Sequence, residues 1–224
     1  MSGFHALLLA AGAGTRFGGG KLLAPWRGEP LVRAAARIAL AAPVDLCIAV
    51  TGCDAERVEA ALAPVRGDRL ILARCPDWGD GLSASLRCGL RALPRTSRGV
   101  VVFLADMPLV PPGAAAPLLD ALERGAIAAE YRRGGQPAHP VAFARDLYPE
   151  LALLRGDQGG RALLPGRAGV ARLTTGEPGA VLDIDRRSDL DAPARSEPRR
   201  LAMMRDRSLA RATPSGEQEG VEPP

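Results

Sequence analysis

Short apolar runs alternate along the chain with longer stretches in which apolar residues recur at every third or fourth position. Residues 6–10 are apolar without interruption, which predicts a strand buried on both faces. Residues 31–42 place Leu31, Ala35, Ile38 and Ala42 on one side of a helix. Residues 44–50 predict a second strand, and 54–62 a helix opened by Asp54 as its N-cap. A third strand follows at 70–73, then a helix at 83–93 in which Leu82, Leu86, Leu90 and Leu93 share a face. Residues 99–105 are the most strand-like segment, 112–124 a further helix, and a short strand is expected near Ile127. This alternation predicts an α/β fold with a mostly parallel central sheet covered on both faces.

From about residue 130 the rhythm changes. A glycine- and proline-rich turn at 133–140 leads to an apolar strand at 141–143, two short helices at 146–154 and 158–164, and a last strand near 180–182. Residues 193–224 mix Pro, Ser, Glu and Arg, which predicts one folded domain over 1–192 and a disordered tail over 193–224. No run approaches the length of a membrane helix, and the first apolar run has no Lys or Arg before it. A cytoplasmic protein without a membrane partner is expected.

Composition narrows the chemistry. At 224 residues and 47% hydrophobic, the chain can bury a substantial core. Its net charge is +4, its arginines are scattered among 25 acids, and aromatics are only 4%. Nucleic-acid binders concentrate basic residues and interleave aromatics, so no nucleic-acid partner is expected. Cysteines 47, 53, 75 and 88 contain no Cys-x-x-Cys pair, and with only His5 and His139 besides they do not read as a zinc cluster. Cys47, in an apolar run, reads as a buried free thiol. Of the 29 basic residues exactly one is lysine, Lys21, and it ends a glycine-rich stretch.

That stretch is Leu9-Ala10-Ala11-Gly12-Ala13-Gly14-Thr15-Arg16-Phe17-Gly18-Gly19-Gly20-Lys21. A Walker loop would need glycine at position 15 and Ser or Thr at 22, where Thr15 and Leu22 stand. A dinucleotide fingerprint would need glycine three residues after Gly14 and a helix opening at once; Phe17 stands there, and the next helix begins near Leu31. A third phosphate loop fits, a long phosphate-gripping one with backbone amides of residues 11–14 on the nucleotide and Arg16 and Lys21 on its phosphates; the alternative is a mobile surface loop.

Asp106 ends the apolar strand at 99–105, where parallel sheets bind ligands, and reads as a magnesium ligand or as a turn cap. In Leu182-Asp183-Ile184-Asp185 alternation sends both carboxylates to one face, and either could meet Asp106 across a metal. Gly81-Leu82-Ser83-Ala84-Ser85 lacks the final glycine of a nucleophile elbow and reads as a helix start facing a ligand. His139 reads as structural or substrate-bonding rather than catalytic.

In order, these segments resemble the MobA-like nucleotidyltransferases, and within them the molybdenum cofactor cytidylyltransferases. The resemblance spans about residues 5–192. It is carried by the loop at 9–18 with Lys21-Leu22-Leu23, by Pro76-Asp77-Trp78 with Gly81 and the segment 85–90, and by Leu104-Ala105-Asp106-Met107-Pro108. Residues 135–143, Arg155-Gly156-Asp157-Gln158-Gly159-Gly160-Arg161 and Asp183-Ile184-Asp185 complete it.

It implies a three-layer Rossmann-like nucleotidyltransferase fold. It also implies nucleotide binding by Leu9, Ala10, Ala11, Gly12, Ala13, Gly14, Gly81 and Ser85, with Arg16 and Lys21 on the phosphates. Lys21, Arg16 and Asp106 would be catalytic, Asp106 and Asp185 would hold Mg2+, and His139, Asp157 and Arg161 would face the acceptor. The Leu-Ala-Ala-Gly form of the loop goes with cytidylyl transfer, which favours CTP over GTP. The implied acceptor is the phosphate of molybdopterin or molybdenum cofactor, with a molybdenum hydroxylase apo-enzyme as a possible downstream partner. Transfer to another phosphorylated small molecule, or cofactor carriage without chemistry, are the alternatives. Two departures touch the motif set: Cys75 stands where the family often has Asn, and Arg186-Arg187 replace the usual Thr-Pro.

Overall fold

A computed structural model describes residues 2–190. The expected tail at 193–224 lies outside the described residues. In chain order the elements are β1 (Phe4–Ala10), β2 (Pro25–Trp26), β3 (Glu29–Pro30), α1 (Leu31–Leu40), β4 (Leu46–Thr51), α2 (Ala55–Leu62) and β5 (Leu70–Arg74). They continue with α3 (Leu82–Ala92), β6 (Gly99–Leu104), α4 (Ala115–Glu123), β7 (Ala128–Arg133), β8 (Gln136–Ala144), α5 (Tyr148–Leu153) and β9 (Val170–Thr174).

The main sheet has seven strands in the order β5-β4-β1-β6-β8-β7-β9. β1 is buried along its whole length and pairs in parallel with β4 and β6. β4 pairs in parallel with β5 and β7 with β9, while β8 runs antiparallel to both β6 and β7. The period-2 alternation of β1 divides the core: Ala6, Leu8 and Ala10 pack toward α1, α2 and α4, whereas Leu7 and Leu9 pack toward α3 and α5. Helices cover both faces of the inner strands, which is why β1, β4 and β6 read as near-continuous apolar runs. Cys47 is fully buried, and burial pushes its thiol up to about 12. All four cysteines are free.

Four local expectations are corrected. Asp54 is left-handed, with φ 54°, and makes no capping hydrogen bond to α2; the Cys53 amide donates to the Ala11 carbonyl at 2.9 Å, and that tether sets the path of the chain there. The turn expected at 133–140 is only Gly134-Gly135, and β8 runs through the rest. Pro140 falls where the β7–β8 register shifts between Glu130 and Tyr131, and Pro137 pairs with Arg132 beyond the reach of the β6 pairing. The helix expected at 158–164 is a short 3-10 turn, Gly160–Leu163. The strand expected at 180–182 is instead a 3-10 turn, Pro178–Val181, and the last strand is β9, a half-exposed edge whose mixed pattern hid it.

Candidate active site

The carboxyl ends of β1 and β6 open into one cleft of about 610 Å³. Its walls come from the loop after β1, the turn before α3, Asp106 just past β6, and the Asp183–Asp185 segment. In a parallel sheet this edge is where connecting loops diverge and ligands bind.

The loop after β1 folds into two 3-10 turns, Thr15–Phe17 and Lys21–Leu23. Gly14 makes the close approach that brings the two ends of the loop together. It is left-handed at φ 61°, and a Cβ there would lie 2.7 Å from Lys21 Cβ. The amides of Phe17 and Gly19 both donate to the Gly14 carbonyl, at 3.0 and 3.2 Å. The amides of Gly12, Ala13 and Gly14 find no backbone acceptor among the described residues, and all three residues line the cleft. Such a run of free N–H groups is suited to an anion.

Lys21 is the electrostatic centre of the cleft. Its Nζ donates to Asp106 Oδ2 at 2.7 Å and to Asp185 Oδ1 at 3.1 Å, and its side chain is 11% exposed. Arg16, 78% exposed, donates to the other oxygen of Asp185, Oδ2, at 2.7 Å. The Ile184 amide donates to the Asp106 carbonyl at 2.9 Å, which brings the distant acidic segment to the end of β6. Desolvation pulls the Lys21 ammonium down, but Asp106 and Asp185 outweigh it, so Lys21 stands above the ordinary lysine range and stays charged. Desolvation raises the Asp185 carboxyl, but Lys21 and Arg16 outweigh it and hold it below the usual range. Asp183 goes the other way: desolvation and the neighbouring Asp185 and Asp106 carboxylates raise it. Of the two candidates, Asp185 is therefore the carboxylate joined to Asp106 through Lys21, while Asp183 lines the rim.

Gly81 fixes the opposite wall. With φ 96°, its position lets α3 begin against the 155–158 loop: a Cβ would lie 2.5 Å from the Gly156 carbonyl carbon, and the Ser83 amide donates to the Gly156 oxygen at 3.0 Å. Gly81, Ser85 and Asp157 all line the cleft as a result. Ala10 does not; it is 1% exposed, inside the α1-side core, because strand alternation turns it inward. His139 and Arg161 also lie outside the cleft lining, on the flank that carries Glu130. Burial and the Arg161 cation push His139 down to about 3, so its ring stays neutral and is too weak a base to hold a proton at ordinary pH. His139 Nδ1 and Arg161 Nη2 are both buried without a hydrogen-bond partner.

Trp78 is a cleft residue whose role the sequence does not disclose. Its Cβ sits where a side chain on Gly52 would stand, 2.5 Å from that virtual Cβ, and Ala11 Cβ is 2.8 Å from the same point. The signal was available: an aromatic shortly after a strand, at the ligand-binding edge of a parallel sheet.

Asp106 and Asp185 present hard oxygen donors around one shared cationic position, which fits a divalent cation that takes its remaining ligands from phosphates and water. No group of three or more His, Cys, Asp or Glu converges into a complete protein cage among the described residues.

Nicotine blue oxidoreductase of Paenarthrobacter nicotinovorans is 33% identical over 166 residues, 70% of this chain and 79% of that protein. A Mycobacterium sp. strain JC1 homologue of Mycobacterium tuberculosis rv0371c superposes with a TM-score of 0.71 at 30% identity, covering 92% of this chain and 98% of that one. The manganese complex of Rv0371C from Mycobacterium tuberculosis H37Rv superposes with a TM-score of 0.64 at 29% identity, over 77% of this chain and 88% of that one. Residues 6–171 match the MobA-like NTP transferase domain, and the chain belongs to that family of nucleotidyltransferases.

Proposed function

We propose that this protein transfers CMP from CTP to the phosphate of molybdopterin or molybdenum cofactor, releasing pyrophosphate, with Mg2+ held by Asp106 and Asp185. The observation that carries the reading is Lys21, set at the mouth of the phosphate loop between these two carboxylates. A divalent cation bound there supplies charge neutralisation for the triphosphate.

The free amides of residues 12–14 and the Arg16 fork grip the outer phosphates. Lys21, released from its carboxylates, places a compact positive charge on the α-phosphate as charge develops there. A phosphate monoester is largely deprotonated near neutral pH, so the acceptor attacks without a general base. That agrees with the neutral, enclosed His139. Catalysis is then alignment and charge neutralisation.

The preference for CTP is supported by the Leu9-Ala10-Ala11-Gly12 form of the loop, which resembles that of the cytidylyltransferases. One relative carries an oxidoreductase name. The loop after β1 has neither the glycine spacing nor the immediate helix of a dinucleotide site, which disfavours that chemistry for this chain.

A pyrophosphate-release assay with CTP, GTP, ATP and UTP against molybdopterin and simple phosphorylated alcohols tests the proposal. Release with CTP and molybdopterin is expected. Release only with GTP, or only with another acceptor, would replace the finer assignment. Tight cofactor binding with no pyrophosphate under any condition would make the protein a carrier instead.

A further inference from the structure

The phosphate loop meets the acidic segment through more than its carboxylates. The turn Thr15–Phe17, which carries Arg16, buries one of its residues, Phe17. Gly14 stands before that turn and Gly18, Gly19 and Gly20 after it, and glycines resist reorientation of a turn less than other residues do. Phe17 is 4% exposed and packs in a small cluster with Ala24, Trp26, Leu31 and Ile184. The guanidinium of Arg187, an exposed residue, lies over its ring, with Cζ 4.9 Å from the centroid. Asp189 fixes the segment that carries Arg187: its Oδ2 accepts the amides of Asp185 at 3.0 Å and of Arg186 at 2.7 Å.

Residues 16–17 and 184–187 are therefore joined in three ways. Arg16 pairs with Asp185 at 2.7 Å, Phe17 and Ile184 share a buried cluster, and Arg187 stacks on Phe17. The reaction treats these joints differently. On the transferase reading Arg16 turns from Asp185 to the outer phosphates, and Lys21 gives up both carboxylates. The polar joints are then broken. The contacts of Phe17 use no group that the substrate claims, so they persist in the loaded state.

We propose that Arg187 is a positioning residue: stacked on Phe17, it holds the Thr15–Phe17 turn over the cleft, so that Arg16 meets the outer phosphates of the nucleotide after leaving Asp185. The proposal rests on the transferase reading and adds to that site a residue that itself touches no substrate. Arg187 stands at one of the two departures from the family pattern, so the device belongs to this chain and not to the shared motif set. A cation over an aromatic face at an exposed site shifts an equilibrium by about two- to fivefold, and that sets the size of the effect.

The test is a calorimetric titration of two nucleotides with Mg2+: CMP, which lacks the outer phosphates, and the α,β-methylene analogue of CTP, which has them. Arg187→Gln should weaken binding of the CTP analogue about two- to fivefold and leave CMP unchanged; a merely structural loosening of the cleft would weaken both. Arg187→Lys keeps a cation over the ring and should recover most of the loss. Phe17→Leu removes the ring but keeps an apolar side chain, and in that background Arg187→Gln should cost nothing further. Should Phe17→Leu fail to fold, the two Arg187 variants decide alone. Equal affinity for the CTP analogue in wild type and Arg187→Gln overturns the proposal, as does an equal loss for CMP or no recovery in Arg187→Lys. An undiminished loss in the Phe17→Leu background also overturns it, because Arg187 would then act on the phosphates directly. Hydrogen exchange of the Phe17 and Gly19 amides, both bonded to the Gly14 carbonyl, follows the turn without nucleotide. It should quicken about two- to fivefold in Arg187→Gln, and unchanged exchange overturns the proposal. Failure of wild-type protein to bind the CTP analogue would overturn the transferase reading, and the exchange result would then decide the contact by itself.

Discussion

Lys21 Nζ lies 2.7 Å from Asp106 Oδ2, although 85 residues separate them in the chain. The same nitrogen reaches Asp185, 164 residues away. One ammonium thus joins the loop after β1, the end of β6 and the segment that follows the 3-10 turn Pro178–Val181.

Removing either member of this contact should cost turnover more than binding. Lys21→Ala and Asp106→Ala are each expected to reduce kcat by about a hundredfold or more, the usual loss per electrostatic stabiliser. Lys21→Arg keeps the charge but spreads it over a planar fork, and should recover only part of the activity. Steady-state pyrophosphate release checks all three, and near-normal rates in the alanine variants would remove these residues from the mechanism.

The ammonium competes with a metal for the same two carboxylates, so removing it should raise metal affinity while it lowers activity. Without nucleotide, Lys21→Ala should bind Mn2+ more tightly than wild type, while Asp185→Asn should bind it more weakly. Electron paramagnetic resonance of free Mn2+ measures both. Weaker binding in Lys21→Ala would contradict a shared position.

Trp78 is expected to contact the base. Stacking on an aromatic ring contributes about 1–3 kcal/mol per base, so Trp78→Ala should raise the nucleotide Kd about tenfold or more, and Trp78→Phe should restore much of it. The chain has two tryptophans, and the other, Trp26, is 4% exposed and outside the cleft lining. Nucleotide addition should therefore perturb Trp78 emission in a Trp26→Phe background; an unresponsive spectrum together with an unchanged Kd in Trp78→Ala would place the base elsewhere.

Gly14→Ala tests the loop itself. A left-handed alanine is unfavourable by about 1–2 kcal/mol, before the contact with Lys21 Cβ is counted. Displacement of Lys21 should lower kcat and melting temperature together. Gly12→Ala, which has nothing within 4 Å of the added carbon, should leave stability nearly unchanged.

The charged cluster also sets how stability depends on pH. Asp185 is held below the ordinary carboxylate range, so the folded chain binds its proton more weakly than the unfolded chain. Its contribution is complete above the unfolded value of about 4 and is lost as pH falls through the lower folded value. Lys21 is raised, so its contribution is complete below the unfolded value of about 10.4 and is lost as pH rises through the folded one. Urea midpoints followed into both limbs in metal-free buffer should show each decline. Lys21→Met should abolish the alkaline decline and move the acid one to higher pH.

Much of this protein was legible from local pattern. Residues 6–10 and 99–105 read as buried strands because no polar residue interrupts them, and they are β1 and β6. The loop after β1 stands out through failed matches to two other phosphate loops and through its lone lysine, both local properties of the chain. What alternation could not resolve was whether Asp183 or Asp185 meets Asp106, since both share a face of an extended chain. The Ile184 amide on the Asp106 carbonyl and the position of Lys21 decide it, and neither contact leaves a trace in local sequence. The same holds for Ala10, which sequence order places in the loop motif and strand alternation places in the core. Glu130, Arg132, Arg161 and Arg172 appear in the sequence as scattered charges. Only the pairing of β7 with β9 brings Arg172 onto Glu130, because cross-strand register sets distances that no spacing along one chain encodes. Element identity follows from short-range periodicity; the shared cation of the active site and the contact of Arg172 with Glu130 come from long-range pairing alone.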